Sequence, residues 1–241
     1  MSNVARNPAV LVTRPRAEAE EMAVQLRKDG YTVYVRPLLD IHLLPTSLPD
    51  VLPEDVIVTS VHAVPFCRTY LASGSYRFYV VGARTADALR NAGHHDIMHV
   101  APDADRLLTH LSDGQARPVL YICGQHTQAD IPGVLSPLGF TVTRVPVYVA
   151  DPAPVDYNDW HTFWAHTSLH IPLFSVRTAT VMKQAVLSRT PPLDTSQHRV
   201  FCMSEKIADV VRDLGWAEIW VAHTPDLACM LTALRQRIIT E

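Results

Sequence analysis

The sequence predicts an α/β fold in which doubly wound parallel sheets form two lobes. Short β-branched runs alternate with helical patterns, which is typical of parallel sheets covered on both faces. The chain also repeats itself. Gly-Tyr-Thr-Val at 30–33 recurs as Gly-Phe-Thr-Val at 139–142, and Val10-Leu11 recurs at the same spacing as Val119-Leu120. A length of 241 residues suits two domains of about 100–120 residues, and paired lobes usually bind a ligand between them.

The first copy of the pattern predicts strands and helices in regular alternation, with a turn at Gly30 before the second strand. The strands are predicted at 9–13, 31–35, 56–59, 77–81 and 97–100. The helices are predicted at 17–28, 62–72, 84–92 and 104–111.

The second copy repeats this order, so that ten strands divide into two sheets of five. Its strands are predicted at 119–122, 141–149, 162–166, 199–203 and 219–222. Its helices are predicted at 130–138, from the third of these strands to about 187, at 205–214 and at 226–238. Residues 188–198, which contain Pro191-Pro192, lengthen this copy and are predicted to form a surface loop.

Two segments marked by proline, residues 36–44 with Pro37 and 144–154 with Pro146, are too extended and too alike to be ordinary loops. Each is either the end of a sheet strand or a crossing between the lobes. The sequence leaves both interpretations open, and it also leaves open whether each lobe is a contiguous half of the chain.

Composition excludes several classes of function. A formal charge of −3 and a pI near 6.4 disfavour a nucleic-acid binder, which needs a basic face. Four widely spaced cysteines fit a reducing cytosol, and no apolar run predicts a signal peptide or a membrane span. The twelve histidines lack the spacing of a metal site, and no glycine-rich phosphate loop predicts a nucleotide cofactor. We therefore expect a cytoplasmic protein without metal or cofactor.

Polar turns follow several of the predicted strands. In a doubly wound sheet, ligands collect at the carboxyl ends of the strands, where backbone N–H groups at helix starts can hold carboxylates or phosphates. Each turn either caps its helix and does nothing else, or contributes to such a site. The turns are Thr13-Arg14-Pro15, Thr59-Ser60, Gly82-Ala83-Arg84-Thr85, Gly124-Gln125-His126, Thr167-Ser168 and Ser204-Glu205-Lys206.

A series of short motifs runs in a fixed order through nearly the whole chain. They are Leu11-Val12-Thr13-Arg14-Pro15, Gly30, Pro37-Leu38-Leu39-Asp40-Ile41, Val58-Thr59-Ser60, Ala63-Val64, Val81-Gly82, Thr85-Ala86, Val147-Tyr148 and Thr167-Ser168. Each motif is weakly specific alone, but in order and spacing the set resembles the uroporphyrinogen-III synthase family.

The resemblance implies two flavodoxin-like lobes joined by a two-stranded β linker. One lobe would be discontinuous, formed by residues 1–35 and 155–241, and the other would be formed by 45–143. Residues 36–44 and 144–154 would be the linker strands.

The resemblance also implies a reaction. The family cyclises the linear tetrapyrrole hydroxymethylbilane to uroporphyrinogen III without a cofactor, with loss of water and inversion of the last pyrrole ring. The substrate carries eight carboxylates, which suit turns rich in N–H groups, and its reactive azafulvene needs positioning and exclusion of water. We expect a monomeric lyase that acts on this small molecule, with no nucleic-acid or membrane partner.

Site residues follow from matching the family motifs to this sequence. Tyr148 matches a position proposed to assist departure of the hydroxyl group as a general acid, although it could also simply pack its ring in the linker. The predicted substrate-binding residues are Thr13, Arg14, Ser60, Val61, His62, Gly82, Arg84, Thr85, Gly124, Ser168, Leu169, Ser204 and Lys206.

Two departures from the family pattern leave a second hypothesis open. Ile207 stands where the second copy should carry a threonine equivalent to Thr85, and His62 stands where asparagine is common. A diverged or non-catalytic two-lobed protein of the same fold, which binds a tetrapyrrole or another polyanion, is therefore the alternative.

Overall fold

A computed structural model describes residues 9–165 and 168–236. By its contacts the chain divides into two units, Met1–Asp40 with Asp151–Glu241 (unit 1) and Ile41–Ala150 (unit 2). None of the described helices has the length and apolar character that a transmembrane helix needs. The finer assignment of 36–44 and 144–154 to a separate linker stays a prediction.

The described residues contain eleven strands and nine α-helices. The strands are β1 (Ala9–Val12), β2 (Val33–Val35), β3 (Leu39–Leu43), β4 (Asp55–Val58), β5 (Arg77–Val81), β6 (Ile97–Ala101), β7 (Pro118–Gly124), β8 (Thr141–Pro152), β9 (Leu169–Leu173), β10 (Arg199–Cys202) and β11 (Glu218–Val221). The helices are α1 (Arg16–Lys28), α2 (Val64–Tyr70), α3 (Ala83–Asn91), α4 (Ala104–Ser112), α5 (Ile131–Leu135), α6 (Tyr157–Trp164), α7 (Val176–Leu187), α8 (Glu205–Val211) and α9 (Leu227–Gln236).

Each unit contains one parallel sheet with the same topology. Unit 1 has the strand order β11-β10-β9-β1-β2, and unit 2 has β6-β5-β4-β7-β8, with β3 added beyond β8. Neighbouring strands within each set of five pair in parallel. When β7 is aligned with β1, both sheets have the flavodoxin order 2-1-3-4-5. The predicted fold class is thereby confirmed.

The internal repeat has a structural explanation in this alignment. The repeated blocks fall on β1 and β7 and on the turns before β2 and β8. Gly30 and Gly139 adopt positive φ angles of 88° and 89°, a conformation that favours glycine over residues with a Cβ. Of the five aligned strands in unit 2, the first along the chain is β4, which occupies the third position of the flavodoxin order. The second unit is therefore a circular permutation of the first.

The third strand of the second copy was predicted at the wrong place. Residues 162–164 lie in α6 rather than in a strand, and the sheet strand is β9. Asp156 caps α6, since its Oδ1 accepts hydrogen bonds from the N–H groups of Asn158 and Asp159, and Trp160, Phe163 and Trp164 in this helix are buried. Because all five residues of β9 are buried, this strand shows no alternating pattern. The prediction of two sheets of five is also wrong, because β3 gives unit 2 a sixth strand.

Both sheets are buried on two faces. Val10, Leu11 and Val12 in β1 are fully buried, and so are residues 56–58 in β4. Full burial of one such side chain contributes about 1.5–3 kcal/mol. The core therefore leaves polar groups accessible mainly where the strands begin and end.

A buried carboxylate lies at the amino ends of the strands in the unit 2 sheet. Asp55 begins β4 and is 1% exposed. Its carboxylate accepts hydrogen bonds from Nε of Arg77 (2.6 Å) and from Nε of Arg117. Arg117 also lies over the rings of Tyr79 and Phe140. These groups satisfy one another's hydrogen-bonding capacity, and their contacts stabilise this end of the sheet.

His198 is a buried titratable group near the amino edge of unit 1. Its Nδ1 accepts a hydrogen bond from Leu169 N (3.1 Å), and its ring stands edge-on to Trp164 with 4.5 Å between centroids. Burial lowers the pKa of His198 to about 4, because the imidazolium would lose its hydration. The neutral ring is therefore part of the folded structure.

We expect His198→Asn to flatten the acid side of the stability curve. The folded-state pKa of His198 lies below the ordinary value of about 6.5, so the unfolded chain binds the extra proton and stability falls as pH drops from about 6.5 towards 4. This group contributes a slope of up to about 1.4 kcal/mol per pH unit. Asparagine can still accept from Leu169 N and does not titrate. Urea unfolding of both proteins between about pH 7.5 and 4.5 measures the slopes, and equal slopes would contradict the prediction.

Candidate functional site

The carboxyl ends of β4 and β7 form the switch point of the sheet in unit 2, where the connections leave in opposite directions. Thr59-Ser60 follows β4, Gly124 ends β7, and Tyr148 lies on the neighbouring strand β8. The structure thus brings together three of the predicted site residues, Ser60, Gly124 and Tyr148, within one unit.

Ser60, His62 and Tyr148 lie close together at this edge. Ser60 caps the 3₁₀ turn at Val61–Ala63, and its Oγ accepts from His62 N at 3.3 Å. The Ser60 side chain also lies near the hydroxyl of Tyr148, where it favours the ionised phenol. The ring of His62 lies edge-on to the ring of Tyr148, with 5.5 Å between centroids. Ser60, His62 and Tyr148 are half-buried, so solvent reaches the cluster.

Gly124 makes room for the tyrosine ring. A Cβ at this position would lie 2.8 Å from Cζ of Tyr148 and 3.0 Å from its hydroxyl oxygen. The backbone is fixed here as well, because Gln125 N donates to Tyr148 O (2.8 Å) and Arg144 donates to the carbonyls of Gly124 (3.0 Å) and Gln125 (2.8 Å). The close approach of β7 to the Tyr148 ring therefore requires glycine.

Burial determines the protonation of the phenols at this edge. It raises the pKa of Tyr148, and the hydrogen bond from Ser60 only partly offsets this. It also raises the pKa of Tyr121, whose hydroxyl lies 3.3 Å from Thr59 Oγ1, to about 12. Both phenols are neutral near pH 7, and the hydroxyl of Tyr148 can donate a hydrogen bond.

The turn after β5 lies at the same edge of unit 2. Gly82 has a φ of 83° and is the N-cap residue of α3, so this helix begins without a side-chain cap. Thr85 N donates to Gly82 O (3.1 Å), but the Thr85 side chain is only 5% exposed, while Arg84 is exposed. Of these predicted site residues, Gly82 and Arg84 present groups to the surface and Thr85 supports the turn from inside.

Val61, another predicted site residue, borders a groove of about 330 Å³ on unit 2. The groove runs between α2 and α3 and is lined mainly by apolar atoms. Its lining residues are Val61, Val64, Pro65, Arg68, Ala88, Asn91 and Ala92. Val61 therefore offers an apolar wall beside Ser60 rather than a polar contact.

In unit 1 the corresponding switch point lies between β1 and β9. Thr13 follows β1 and is fully buried, and its carbonyl accepts from Leu38 N (3.1 Å). The guanidinium of Arg14 lies over the ring of Phe174, 4.3 Å from its centroid. Thr13 therefore shapes the turn, and Arg14 brings a cation to this edge.

The predicted position of Ser168 and Leu169 at this edge is wrong. Because β9 begins at Leu169, both residues lie at its amino end. Ser168 Oγ donates to Gln197 O (2.8 Å), and Leu169 is fully buried. Thr167, predicted with them, lies outside the described residues. The error follows directly from the misplaced strand at 162–166.

Ser175 stands at the position that was predicted for Ser168. It follows β9 and caps α7, with φ −147° and ψ 151°, and its Oγ accepts from Thr178 N (3.1 Å). Ser60 has nearly the same conformation, φ −154° and ψ 141°, in unit 2. A serine directly before a segment with apolar residues at helical spacing is a helix-start signal that could have identified Ser175 in the sequence.

Ser204 and Lys206 lie at the carboxyl end of β10. Ser204 precedes α8 and makes no side-chain cap hydrogen bond, and Lys206 is exposed. Ile207, the departure from the family pattern, is 4% exposed, much like Thr85 in unit 2. The substitution therefore exchanges one buried side chain for another.

Among the residues that the structure describes, no cluster of three or more histidine, cysteine, aspartate or glutamate side chains could hold a metal ion.

The fold and the two polar edges define a two-unit flavodoxin-like protein whose strand ends are suited to a small polyanion. A family model described as uroporphyrinogen-III synthase HemD matches residues 20–232. The chain therefore belongs to the uroporphyrinogen-III synthase family, a family of lyases in tetrapyrrole biosynthesis.

Curated relatives agree with this family. The uroporphyrinogen-III synthase of Salmonella typhimurium is 26% identical over 252 residues, covering 94% of this chain and 100% of the relative. The Escherichia coli enzyme of the same name is 25% identical over 248 residues, with the same coverage.

Solved structures share the fold. A uroporphyrinogen-III synthetase from Helicobacter pylori superposes with a TM-score of 0.63 at 15% identity, covering 95% of this chain and 99% of that one. A mutant uroporphyrinogen III synthase from Thermus thermophilus gives a TM-score of 0.58 at 16% identity, with 97% and 100% covered.

We expect Gly124→Ala to destabilise unit 2 by about 1–3 kcal/mol, because the new methyl group overlaps the Tyr148 ring. In a Tyr148→Ala background the same substitution should cost less than about 1 kcal/mol, since the ring is gone. Urea unfolding of the four proteins gives the coupling free energy. Additive costs would show that the ring does not require glycine at this position.

Proposed function

We propose that this member of the family is an active uroporphyrinogen-III synthase. It converts hydroxymethylbilane to uroporphyrinogen III with loss of one water molecule and inversion of the last pyrrole ring. The family match carries the identity of the reaction. The placement of the Tyr148 hydroxyl beside Ser60 and His62 at a strand edge is the observation that supports catalysis in this chain.

The substrate chemistry fits the polar edges of the two units. Backbone N–H groups at helix starts and nearby cations stabilise carboxylates, and the substrate has eight of them. The proposed contacts to these carboxylates come from turns in each unit, and Ser175 takes the place of Ser168 and Leu169 in the set. The residues are Arg14, Ser175, Ser204 and Lys206 in unit 1 and Ser60, His62, Gly82, Arg84 and Gly124 in unit 2, with Thr13, Val61 and Thr85 supporting them.

Tyr148 assists the first chemical step. Its hydroxyl lies beside Ser60 and is neutral near pH 7, so it can donate a hydrogen bond to the departing hydroxyl of the substrate. The carbon–oxygen bond breaks with its electron pair on oxygen, the oxygen takes up a proton and leaves as water, and the lone pair of the pyrrole nitrogen forms the azafulvenium. Ring closure then needs positioning and exclusion of water, which binding of the carboxylates supplies. No cofactor takes part in this scheme.

We also propose that the protein acts in the cytoplasm as a monomer, without nucleic-acid or membrane partners. Its net negative charge and four unpaired cysteines, three of them buried, support this setting.

A non-catalytic two-lobed binding protein is the second candidate. The replacement of a threonine by Ile207 and of the common asparagine by His62 favours it. Such a protein would bind the tetrapyrrole without changing the ratio of its cyclised isomers, whereas an enzyme produces the type III isomer faster than spontaneous closure produces type I.

The first functional prediction is that freshly generated hydroxymethylbilane yields type III uroporphyrinogen with the wild-type protein. We expect Tyr148→Phe to lower kcat about tenfold while the fold is retained, because only the donated hydrogen bond is lost. Chromatography of the oxidised products measures both isomers, and circular dichroism checks the fold. If the wild type gives type I alone at the rate without enzyme, the catalytic proposal fails, and unchanged turnover in Tyr148→Phe would make this residue structural.

The second functional prediction compares two serines at opposite ends of β9. We expect Ser175→Ala to raise KM about fivefold, because one hydrogen bond to the substrate is lost. Ser168→Ala is the matched control: it also removes one hydroxyl hydrogen bond, to Gln197 O, and should leave KM unchanged. Steady-state kinetics with thermal unfolding separates binding from the capping contribution of Ser175, and equal effects of both substitutions would contradict the assignment.

A further inference from the structure

His62 contributes more to the unit 2 site than its backbone contact with Ser60. Its imidazole touches the ring of Tyr148 edge-on. Ala63 N donates to Ser60 O (3.1 Å), which fixes the turn that carries His62. The imidazole is half-buried, as is Tyr148, so a ligand at this edge reaches both rings. The contact therefore places an ionisable nitrogen heterocycle next to the phenol.

The two side chains differ in how readily they release a proton. Burial raises the pKa of Tyr148, so its hydroxyl donates a hydrogen bond but holds its proton at neutral pH. Imidazole is the side chain that ordinarily changes charge between about pH 5 and 8. Of the pair, histidine is chemically suited to release a proton completely near neutral pH.

The surroundings of the turn contain no second histidine among the described elements that pack on it. Helices α2 and α3, strand β7 and the Tyr148 strand β8 surround the turn at Val61–Ala63. Their titratable and charged groups are Cys67, Arg68 and Tyr70 on α2, Arg84, Asp87 and Arg90 on α3, Tyr121 and Cys123 on β7, and Arg144, Tyr148 and Asp151 on β8.

We propose that His62 is the proton donor to the departing hydroxyl group of hydroxymethylbilane, and that the ring of Tyr148 orients it. The inference rests on the proposed function and deepens it. It divides the acid role between two groups: Tyr148 donates a hydrogen bond to the hydroxyl and keeps its proton, whereas His62 gives one up.

The His62 imidazolium transfers a proton to the hydroxyl oxygen of the substrate. The carbon–oxygen bond breaks with its electron pair on oxygen, water leaves, and the pyrrole nitrogen lone pair forms the azafulvenium. His62 is then neutral, and it regains a proton when the last ring carbon loses its proton after closure of the macrocycle. One water is released, and no oxidant or reductant is needed.

The test is the pH dependence of kcat for type III formation from about pH 6 to 9, with freshly generated hydroxymethylbilane. In the wild type we expect kcat to fall as the imidazole loses its proton, by up to tenfold per pH unit. His62→Asn and His62→Gln should remove this decline and lower kcat at the acid end by roughly a hundredfold. Tyr148→Phe should lower kcat but retain a declining profile.

His161→Asn is the matched control, because His161 is exposed on α6 in unit 1 and belongs to neither candidate edge. It should keep the wild-type profile. If His62→Asn does not fold, His62→Gln provides the kinetic test. A ¹H–¹³C NMR titration of the wild type and Tyr148→Phe provides one without activity: the His62 Cε1–H resonance should titrate, and the Tyr148 substitution should shift it.

The outcomes separate the two proposals. Type I product alone from the wild type would remove the proposed function, and this inference with it. Type III product from the wild type, together with an unchanged profile and unchanged kcat in the folded His62 variants, would overturn only the role of His62. A His62 resonance that does not titrate between about pH 6 and 9 would overturn it as well.

Discussion

The burial of both faces of each parallel sheet is the constraint on which the other features of this protein depend. When helices cover both faces, exposed backbone groups and polar side chains remain mainly at the two edges where strands begin and end. The amino edges are used for stability: Asp55 joins two arginines in unit 2, and Arg199 pairs with Glu218 at 3.5 Å in unit 1. The carboxyl edges carry the serines, glycines and cations that can meet a ligand.

The permuted repeat determines which residues correspond. Since β4 of unit 2 aligns with β9 of unit 1, the serine equivalent to Ser60 is Ser175, and both cap the turn or helix that follows their strand. The apparent match of Thr59-Ser60 with Thr167-Ser168 is a likeness of residue types only, because Ser60 follows the carboxyl end of β4 whereas Ser168 lies at the amino end of β9. Topology, rather than sequence spacing, identifies the true counterpart.

The sequence predicted the fold well because most strands are short β-branched runs separated by clear turns, as in β1, β4 and β7. It failed at 162–166, where aromatic residues at helical spacing were assigned to a strand, and the fully buried β9 showed no alternation. The placement of Tyr148 beside Ser60 and its ring contact with His62 could not be predicted. They depend on β8 returning beside β7, next to β4, after about 90 residues of intervening chain.

The burial of Ile207 bears on whether its departure from the family pattern affects catalysis. Thr85 and Ile207 are almost equally buried in their own units, so neither side chain offers much surface to a ligand at the carboxyl ends of the strands. The carboxyl ends of these strands present the first N–H groups of α3 and α8. Gly82 and Ser204 precede these two helices, and neither makes a side-chain cap hydrogen bond. Uncapped N–H groups retain their affinity for carboxylates whichever side chain packs beneath them. The isoleucine therefore counts less against catalysis than the sequence alone indicates, and the divergence that bears on chemistry is His62.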